Sequence, residues 1–510
     1  MNKLRLILGD QLNAKHSWFK QKDENTIYLM AEMRQETDYV KHHIQKVVAF
    51  FLSMRNFAAA LEKAGHQVIY FKISDDKNLQ DLEKIISNVT ADKKIEKFEY
   101  QLPDEYRLDQ QLKNICTNLK IESEAFDSEH FYTSRTELSE FFEGKKLLLM
   151  ENFYRMMRKK HHVLVTHDKP LGGKWNYDHS NRNKYKEEVP IPEPLVFNKD
   201  VSKIVSEIEK TDVKTFGAID TKNFPWPTSR KESLQVLHYF CEYLLDYFGD
   251  YQDALYSKNS FLFHSRLSFA MNSKMISPKE VVDTVIEYFN KNQDTIDISQ
   301  VEGFERQILG WREYVRGIYW KEMPNYAQMN ALDNQNKLPE FYWTGKTKMK
   351  CMQHAISQSL NEAYAHHIQR LMIIGNFSLL TQLHPDAVDA WYLGVYIDAI
   401  EWVEMPNTRG MSQYADGGII ATKPYVSSGS YINKMSNYCG DCTYNVKEKL
   451  GDKACPFNSL YWNFLDDKKE HFQNNQRMNM MLALLHKMKP DELANIKEKA
   501  MHIMEHLDEY

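Results

Sequence analysis

The hydrophobic period of this chain changes once along its 510 residues, and that change limits the folds open to it. Near the N-terminus Leu4–Leu8, Thr26–Met30 and Val68–Phe71 read as short strands, with Lys41–Gly65 a long helix between the last two. Strand, helix and strand at this spacing predict a parallel sheet with crossover helices. From residue 231 onward the period becomes helical, with helices expected over Lys231–Phe248, Pro278–Asn290, Val301–Tyr319, Met352–Ile374 and Ala387–Val403. Between these regions lie Pro170-Leu171-Gly172-Gly173, Pro190, Pro192, Pro194 and Pro225-Trp226-Pro227, the punctuation of a long linker. The expected organisation is an α/β domain over 1–130, a linker over 131–230 and an all-α domain over 231–510. At least two cores are expected, because one core rarely grows past about 250–300 residues.

No run approaches the roughly 18–20 apolar residues of a bilayer span, and the longest lies near Val47–Met54. Leu4–Leu8 is too short for the apolar stretch of a secretory leader, so a cytoplasmic protein is expected. With 65 Lys and Arg against 70 Asp and Glu, the formal charge is −5. That balance argues against coating nucleic acid over the whole surface but leaves room for one basic face. Arg155 with Arg158-Lys159-Lys160-His161-His162, beside Phe153 and Tyr154, mixes basic and aromatic residues as a nucleic-acid contact would. A solvated charged face gives the same pattern. Ligands of parallel sheets sit beyond the carboxyl ends of strands, which places Gly9, Asp10 and the Glu32–Tyr39 loop at a candidate crevice.

The six cysteines are unevenly placed: Cys116 and Cys241 stand alone, while Cys351, Cys439, Cys442 and Cys455 fall in the last third. Cys439-Gly440-Asp441-Cys442 lets two thiolates meet one metal centre from a tight turn, which Gly440 is expected to permit. Four thiolates suit structural zinc or an iron–sulfur cluster, and spacing leaves the two nearly level.

Three further segments carry a resemblance. Phe263-His264-Ser265-Arg266-Leu267-Ser268 resembles the T-S-x-L-S flavin-phosphate motif of the photolyase/cryptochrome family, with His264 in place of the usual Thr. Gly310-Trp311-Arg312-Glu313-Tyr314-Val315-Arg316 is similar to that family's W-R-E-F-x-R helix, and Ala365-His366-His367-Ile368-Gln369-Arg370 to its H-[HN]-x-x-R helix. The four cysteines match one branch, the iron–sulfur bacterial cryptochromes and photolyases, or prokaryotic (6-4) photolyases. Gly173–Asp178 with Asn181-Arg182 resembles that branch's long interdomain loop.

The resemblance implies a Rossmann-like α/β antenna domain and a large all-α FAD-binding domain. It implies FAD, a 4Fe–4S cluster on the four cysteines, a 6,7-dimethyl-8-ribityllumazine antenna and a role for Mg2+ beside Asp178. By position, Tyr251, His264, Ser265, Arg266, Leu267 and Ser268 would hold the ribityl and phosphate part of FAD. Arg312, Arg370, Asp398 and Glu404 would complete that site, with Arg370 paired to Asp398 and Glu404 where most DNA photolyases carry Asn. His366-His367 resembles the (6-4) enzymes, in which a proton must reach the damaged pyrimidine as the electron arrives. Imidazole suits that task, and the role falls to His367. Trp343, Trp391 and Tyr392 match the branch's electron-transfer aromatics; Tyr425, Asp178 and Arg182 are the expected DNA or lesion contacts. Asp10, Glu36 and Tyr39 are the antenna-site candidates.

The implied activity is light-driven repair of (6-4) photoproducts by a monomer that binds UV-damaged DNA. A blue-light photoreceptor using the same FAD, and an iron–sulfur nucleic-acid-binding protein without flavin, are the competing expectations.

Overall fold

The β-branched and aromatic runs near the N-terminus form one sheet of five strands. The computed structural model describes residues 1–510, and the strands are β1 (Lys3–Leu6), β2 (Thr26–Ala31), β3 (Gln67–Phe71), β4 (Lys97–Gln101) and β5 (Glu122–Phe126). Their spatial order is β3-β2-β1-β4-β5, and every neighbouring pair is parallel. Three crossover helices connect them: α1 (Ile44–Lys63), α2 (Leu82–Asp92) and α3 (Tyr106–Asn118). This is the doubly wound arrangement in which a crevice opens beyond the strand ends, where the chain leaves in opposite directions from the neighbouring strands β1 and β4. β4 and β5 escaped the sequence reading because charged residues interrupt both (Lys97-Phe98-Glu99 and Glu122-Ser123-Glu124).

Side-chain alternation divides the sheet between two cores. Along β2, Tyr28 and Met30 join the core of 113 residues that runs on through the helical domain, while Leu29 turns to a separate core of 13. The α1 face of the sheet is thus continuous with the helical body. Helix α1 is long and apolar enough by composition to cross a membrane, but 67% of its most apolar window is buried inside the protein.

The helical region differs from the periodicity reading at informative places. The run expected as Met352–Ile374 is two helices: α5 (Lys350–Glu362) stops at Ala363, held in the left-handed region at φ 52°, and the chain re-enters a helix at His367. A π-helical stretch, Gln369–Gly375, follows. Likewise Ala387–Val403 is divided into α6 (Pro385–Val395) and α7 (Glu401–Met405), with Asp398 in the break. Apolar residues continue at helical spacing across both breaks, so periodicity could not see them. The segment 131–230 is more ordered than its prolines suggest. It carries the helix α4 (Met150–Lys160), a shorter one at Ser202–Glu209, and a two-residue-per-strand hairpin, Val165–Thr166 against Lys169–Pro170.

Candidate functional site

Broken helices bring backbone and polar side chains together inside an apolar body. At the first break, Gln369 Oε1 accepts from the His366 N–H at 3.1 Å, and Arg370 Nε donates to the Ala365 carbonyl at 2.6 Å. These bonds satisfy groups that an unbroken helix would have paired. Across the second break, the Arg370 guanidinium meets the Asp398 carboxylate in a two-point contact at 3.0 and 3.2 Å, the geometry of a strong charge-assisted pair. Burial alone would raise the Asp398 pKa; Arg370 and the Ser268 hydroxyl together hold it below the ordinary carboxylate value. Asn272 donates to the Asp398 carbonyl at 2.7 Å, and the Arg370 guanidinium lies 3.8 Å over the Tyr396 ring.

His366 and His367 diverge from this turn. His366 is buried and stacks on His264, with centroids 4.6 Å apart and planes 14° from parallel. His367 keeps its ring accessible although protein surrounds it, so it lines a recess rather than the outer surface. Burial lowers all three imidazoles, His264 and His367 to about 4 and His366 well below the ordinary value, with Arg370 adding to the effect on His366 and His367. In the protein alone all three are therefore neutral near pH 7, unlike the near-neutral titration expected from an unperturbed imidazole.

Glu404 sits on α7, buried, and neither carboxyl oxygen has a hydrogen-bond partner. Burial, then the neighbouring Asp389, push its pKa well above the ordinary value, and Thr408, Arg409 and Lys46 only partly oppose them. A raised carboxyl pKa means the folded state holds the proton more tightly than the unfolded chain. Its contribution to stability is then largest in acid and falls as pH rises above about 4.3, the ordinary Glu value. Glu404→Gln is accordingly expected to raise the unfolding temperature of the cofactor-free protein at pH 7 and to leave it nearly unchanged near pH 4. Equal shifts at both pH values would contradict a neutral buried acid. The unpartnered polar atoms of this region (both Glu404 oxygens, His264 Nε2 and His366 Nδ1) fit a flat ligand with its own donors and acceptors, such as the flavin the resemblance implies.

The expected electron-transfer aromatics form a graded series. Trp343 is 41% exposed, whereas Trp391 and Tyr392 are buried with ring centroids 5.4 Å apart. Tyr342, which the sequence reading missed, lies 5.2 Å from Trp391 and is the chain neighbour of Trp343. The Tyr392 hydroxyl donates to the Arg370 carbonyl at 2.6 Å, ending the series beside the ion pair.

Other expected site residues stand apart from this centre. Tyr251 stacks on Phe263 at 5.4 Å, and Arg266 turns its guanidinium to the Leu195 carbonyl at 2.6 Å. Leu267 is buried, and Ser265 is half-buried beside His264. Arg312 faces His130, Asn272 and the rings of Phe131 and Trp402, one layer from Asp398 through Asn272.

The four cysteines of the last third are free thiols and line one small apolar cavity with Met349, Ile432, Tyr438 and Phe457. No three of them converge on a point as ligands of a single metal ion do. Four thiols on one cavity match the donor chemistry of a zinc or an iron–sulfur centre alike. Tyr438–Asp441 forms a tight 3-10 turn, and Gly440 does not take a left-handed conformation, contrary to the role expected of it. The glycine this cavity requires is Gly429, where a Cβ would stand 2.8 Å from Cys455 Sγ.

Asp178 pairs with Arg182 at 2.5 Å and with Arg306 at 2.9 Å, and Tyr425 lies close to the Asp178, Arg182 and Asp253 charges. Asp253, absent from the sequence reading, is pushed up to about 6 by burial and by Asp178. In the basic run, Arg158 is fully buried and donates to the carbonyls of Val163, Leu164 and Trp175, so it pins the interdomain loop instead of meeting nucleic acid.

Asp10, Glu36 and Tyr39 line one cavity beyond the strand ends, as the topology dictates. Asp10 is engaged by Lys274 at 2.8 Å, and Lys274 also reaches Asp104 at 2.6 Å. Arg107 pairs with Glu36 at 2.7 Å and lies 4.8 Å over Tyr39. Lys46, on the apolar stripe of α1, also lines this cavity; burial lowers it to about 8, with Glu105, Asp398 and Glu404 opposing. Its one sequence signal was a lone Lys in Ile44-Gln45-Lys46-Val47-Val48. Both ring nitrogens of His42, on the same cavity, lack partners, which suits a polar heterocycle.

Comparisons with known proteins agree with this arrangement. Residues 5–224 match the family described as "Deoxyribodipyrimidine photo-lyase-related protein". A (6-4) photolyase of Agrobacterium fabrum is 39% identical over 512 residues, covering 100% of both chains. An uncharacterised protein of Acanthamoeba polyphaga mimivirus is 34% identical over 102 residues, covering 20% of this chain and 76% of that protein. Among solved structures, a bacterial class III photolyase from Agrobacterium tumefaciens superposes with a TM-score of 0.57 at 14% identity, covering 96% of this chain and 98% of that one. A Synechocystis cryptochrome gives the same TM-score of 0.57 at 13% identity over 92% and 93% of the two chains.

Proposed function

This chain belongs to the photolyase/cryptochrome family, and from that premise we propose that it repairs (6-4) pyrimidine–pyrimidone photoproducts in DNA by light-driven electron transfer. The observation that carries the reading is full-length similarity to a (6-4) photolyase, joined to a recess in which an accessible histidine stands next to a buried Arg–Asp pair. FAD is the cofactor of the family, and when reduced it supplies the electron on absorbing light. The unpartnered Glu404, His264 and His366 atoms support its placement between the two helix breaks.

The chain's own residues do the rest. Arg370 supplies positive charge where negative charge would develop, and Asp398 holds the guanidinium in a fixed orientation. Glu404, kept neutral by burial, is the proton holder on the α7 side. His367 is the acid for the lesion, because its ring reaches the recess while that of His366 is covered. The low proton affinity of His367 reflects burial beside Arg370, and a polyanionic DNA strand bound there would raise it. Trp343, Trp391 and Tyr392, with Tyr342 between the tryptophans, form the route by which electrons enter from the surface.

The lesion reaches the recess flipped out of the duplex, a geometry suited to a body of net acidic charge because only one face must meet phosphate. Tyr425 and the Asp178–Arg182 pair are the contacts proposed for that face; the Mg2+ expected beside Asp178 does not fit there, because Arg182 and Arg306 engage both of its carboxylate oxygens. The cysteine cavity would hold a 4Fe–4S cluster that ties α5 to the C-terminal segment. The cavity lined by Asp10, Glu36 and Tyr39 would hold the lumazine antenna. The protein would act as a monomer on UV-damaged DNA in the cytoplasm.

Lesion recognition is testable without light. In darkness, the FAD-loaded protein is expected to bind a duplex with a single (6-4) photoproduct at least about tenfold tighter than undamaged duplex, a difference of about 1.4 kcal/mol. Equal affinities would contradict a repair role.

A further inference from the structure

The motif position at which the family usually carries Thr holds His264 in this chain. A hydroxyl there could only donate or accept a hydrogen bond, whereas an imidazole presents a flat face. That face lies against His366, with centroids 4.6 Å apart and planes 14° from parallel. Both sides of the stack rest on fixed backbone. On one side, Leu262 and Arg266 take left-handed conformations at φ 46° and 53°, which non-glycine residues adopt only where the surroundings impose them. Asn259 Oδ1 accepts from the Phe261 and Leu262 N–H groups at 2.9 and 2.7 Å, and the His264 N–H donates to the Phe261 carbonyl at 3.0 Å. On the other side, Gln369 holds the His366 N–H and itself donates to Gln358 Oε1 at 2.7 Å and to the Tyr438 hydroxyl at 3.3 Å. Phe248 meets the His264 ring edge-on at 6.2 Å.

The stacked ring of His366 therefore has one face covered by a partner whose backbone is held by its own turn. The titratable groups facing the pair are His367 and Arg370, with Tyr438 reached through Gln369. None is a carboxylate free to stabilise a charge on His366, because Asp398 is engaged by Arg370. We propose that His264 is a positioning residue for the repair reaction: stacked on His366, it locks that imidazole in place and leaves His367 as the one histidine free to turn into the recess and deliver the proton. The inference rests on the repair reading above and adds a residue that acts through the histidine pair.

The test uses the full-length, FAD-loaded protein in two variants, His264→Thr and His264→Phe, the second keeping a flat ring without nitrogen. FAD content, dark affinity for the lesion, the pH profile of repair under single-turnover illumination, and the imidazole 15N resonances of His366 are measured. His264→Thr is expected to slow repair about tenfold to a hundredfold, the usual cost of misplacing a reacting group. Because His264 also borders the proposed FAD site, rates are compared per bound FAD; the pH profile should change, and the His366 resonance should begin to titrate. His264→Phe is expected to restore the parent's rate and the parent's profile. The proposal is overturned if His264→Thr repairs at the parent's rate per bound FAD, or if His264→Phe is as slow per bound FAD as His264→Thr. A parent protein that does not repair would overturn the function itself, and the His366 resonance then still tests the stack: an unchanged signal in His264→Thr refutes it.

Discussion

Replacing His367 by alanine is expected to lower the rate of (6-4) repair by about 10²- to 10⁴-fold, the range a positioned general acid contributes, while FAD content and dark lesion affinity stay near the parent's. The ring lines the recess, so its removal takes away little packing. A general acid works in its protonated form, so repair should decline as pH rises through the His367 pKa. That pKa is about 4 in the protein alone and should lie higher in the DNA complex. The decline in repair is therefore expected above pH 4, and it should vanish in the variant. His366→Ala should behave differently, because this ring is buried and stacked. Its loss should show first in stability and FAD retention. A His367→Ala protein that repairs at the parent's rate would transfer the acid's role elsewhere.

Asp398→Asn is the second substitution with a large expected effect. It leaves the Arg370 guanidinium inside the protein without its counter-charge, and breaking a buried pair from one side costs about 3–5 kcal/mol. The pair is well enclosed, with 20% and 9% of the two side chains exposed, so screening by solvent removes little of that figure. The Asp398 pKa is held below the ordinary value, so its stabilising contribution is present above about pH 3.9 and disappears as the pH falls through the lower folded value. The unfolding midpoint of the variant should thus lie well below the parent's at pH 7, and the two should converge in strong acid. FAD retention should fall with it. A difference that stays constant from neutral to strongly acidic pH would mean that the substitution acts through packing and not through the ion pair.

The two-part architecture was legible because its signal is periodicity, which short strands and long amphipathic helices both express locally. What escaped was set by tertiary structure. The breaks at Ala363 and around Asp398 leave no trace in the apolar spacing, yet they place His366, His367 and Asp398. Lys46 reads as a solvated residue by type, and only the packing of α1 between sheet and helical body buries it. Gly440 was the natural choice for the cysteine turn, but that turn is an ordinary 3-10 one, and the close approach to Cys455 Sγ falls to Gly429 in another segment. Arg158 belonged by sequence to a basic run and by structure to the interior. His264 was visible as a departure from a motif, whereas its partner His366 could be found only in space.

The central claim, light-driven repair of (6-4) lesions, is tested most directly by illuminating the reduced, FAD-loaded protein with an oligonucleotide carrying one (6-4) photoproduct and quantifying intact pyrimidines by chromatography. Restoration in light, none in darkness, and none with a cyclobutane dimer in the same sequence is the predicted result. Illumination that leaves the bound (6-4) lesion unchanged would contradict it.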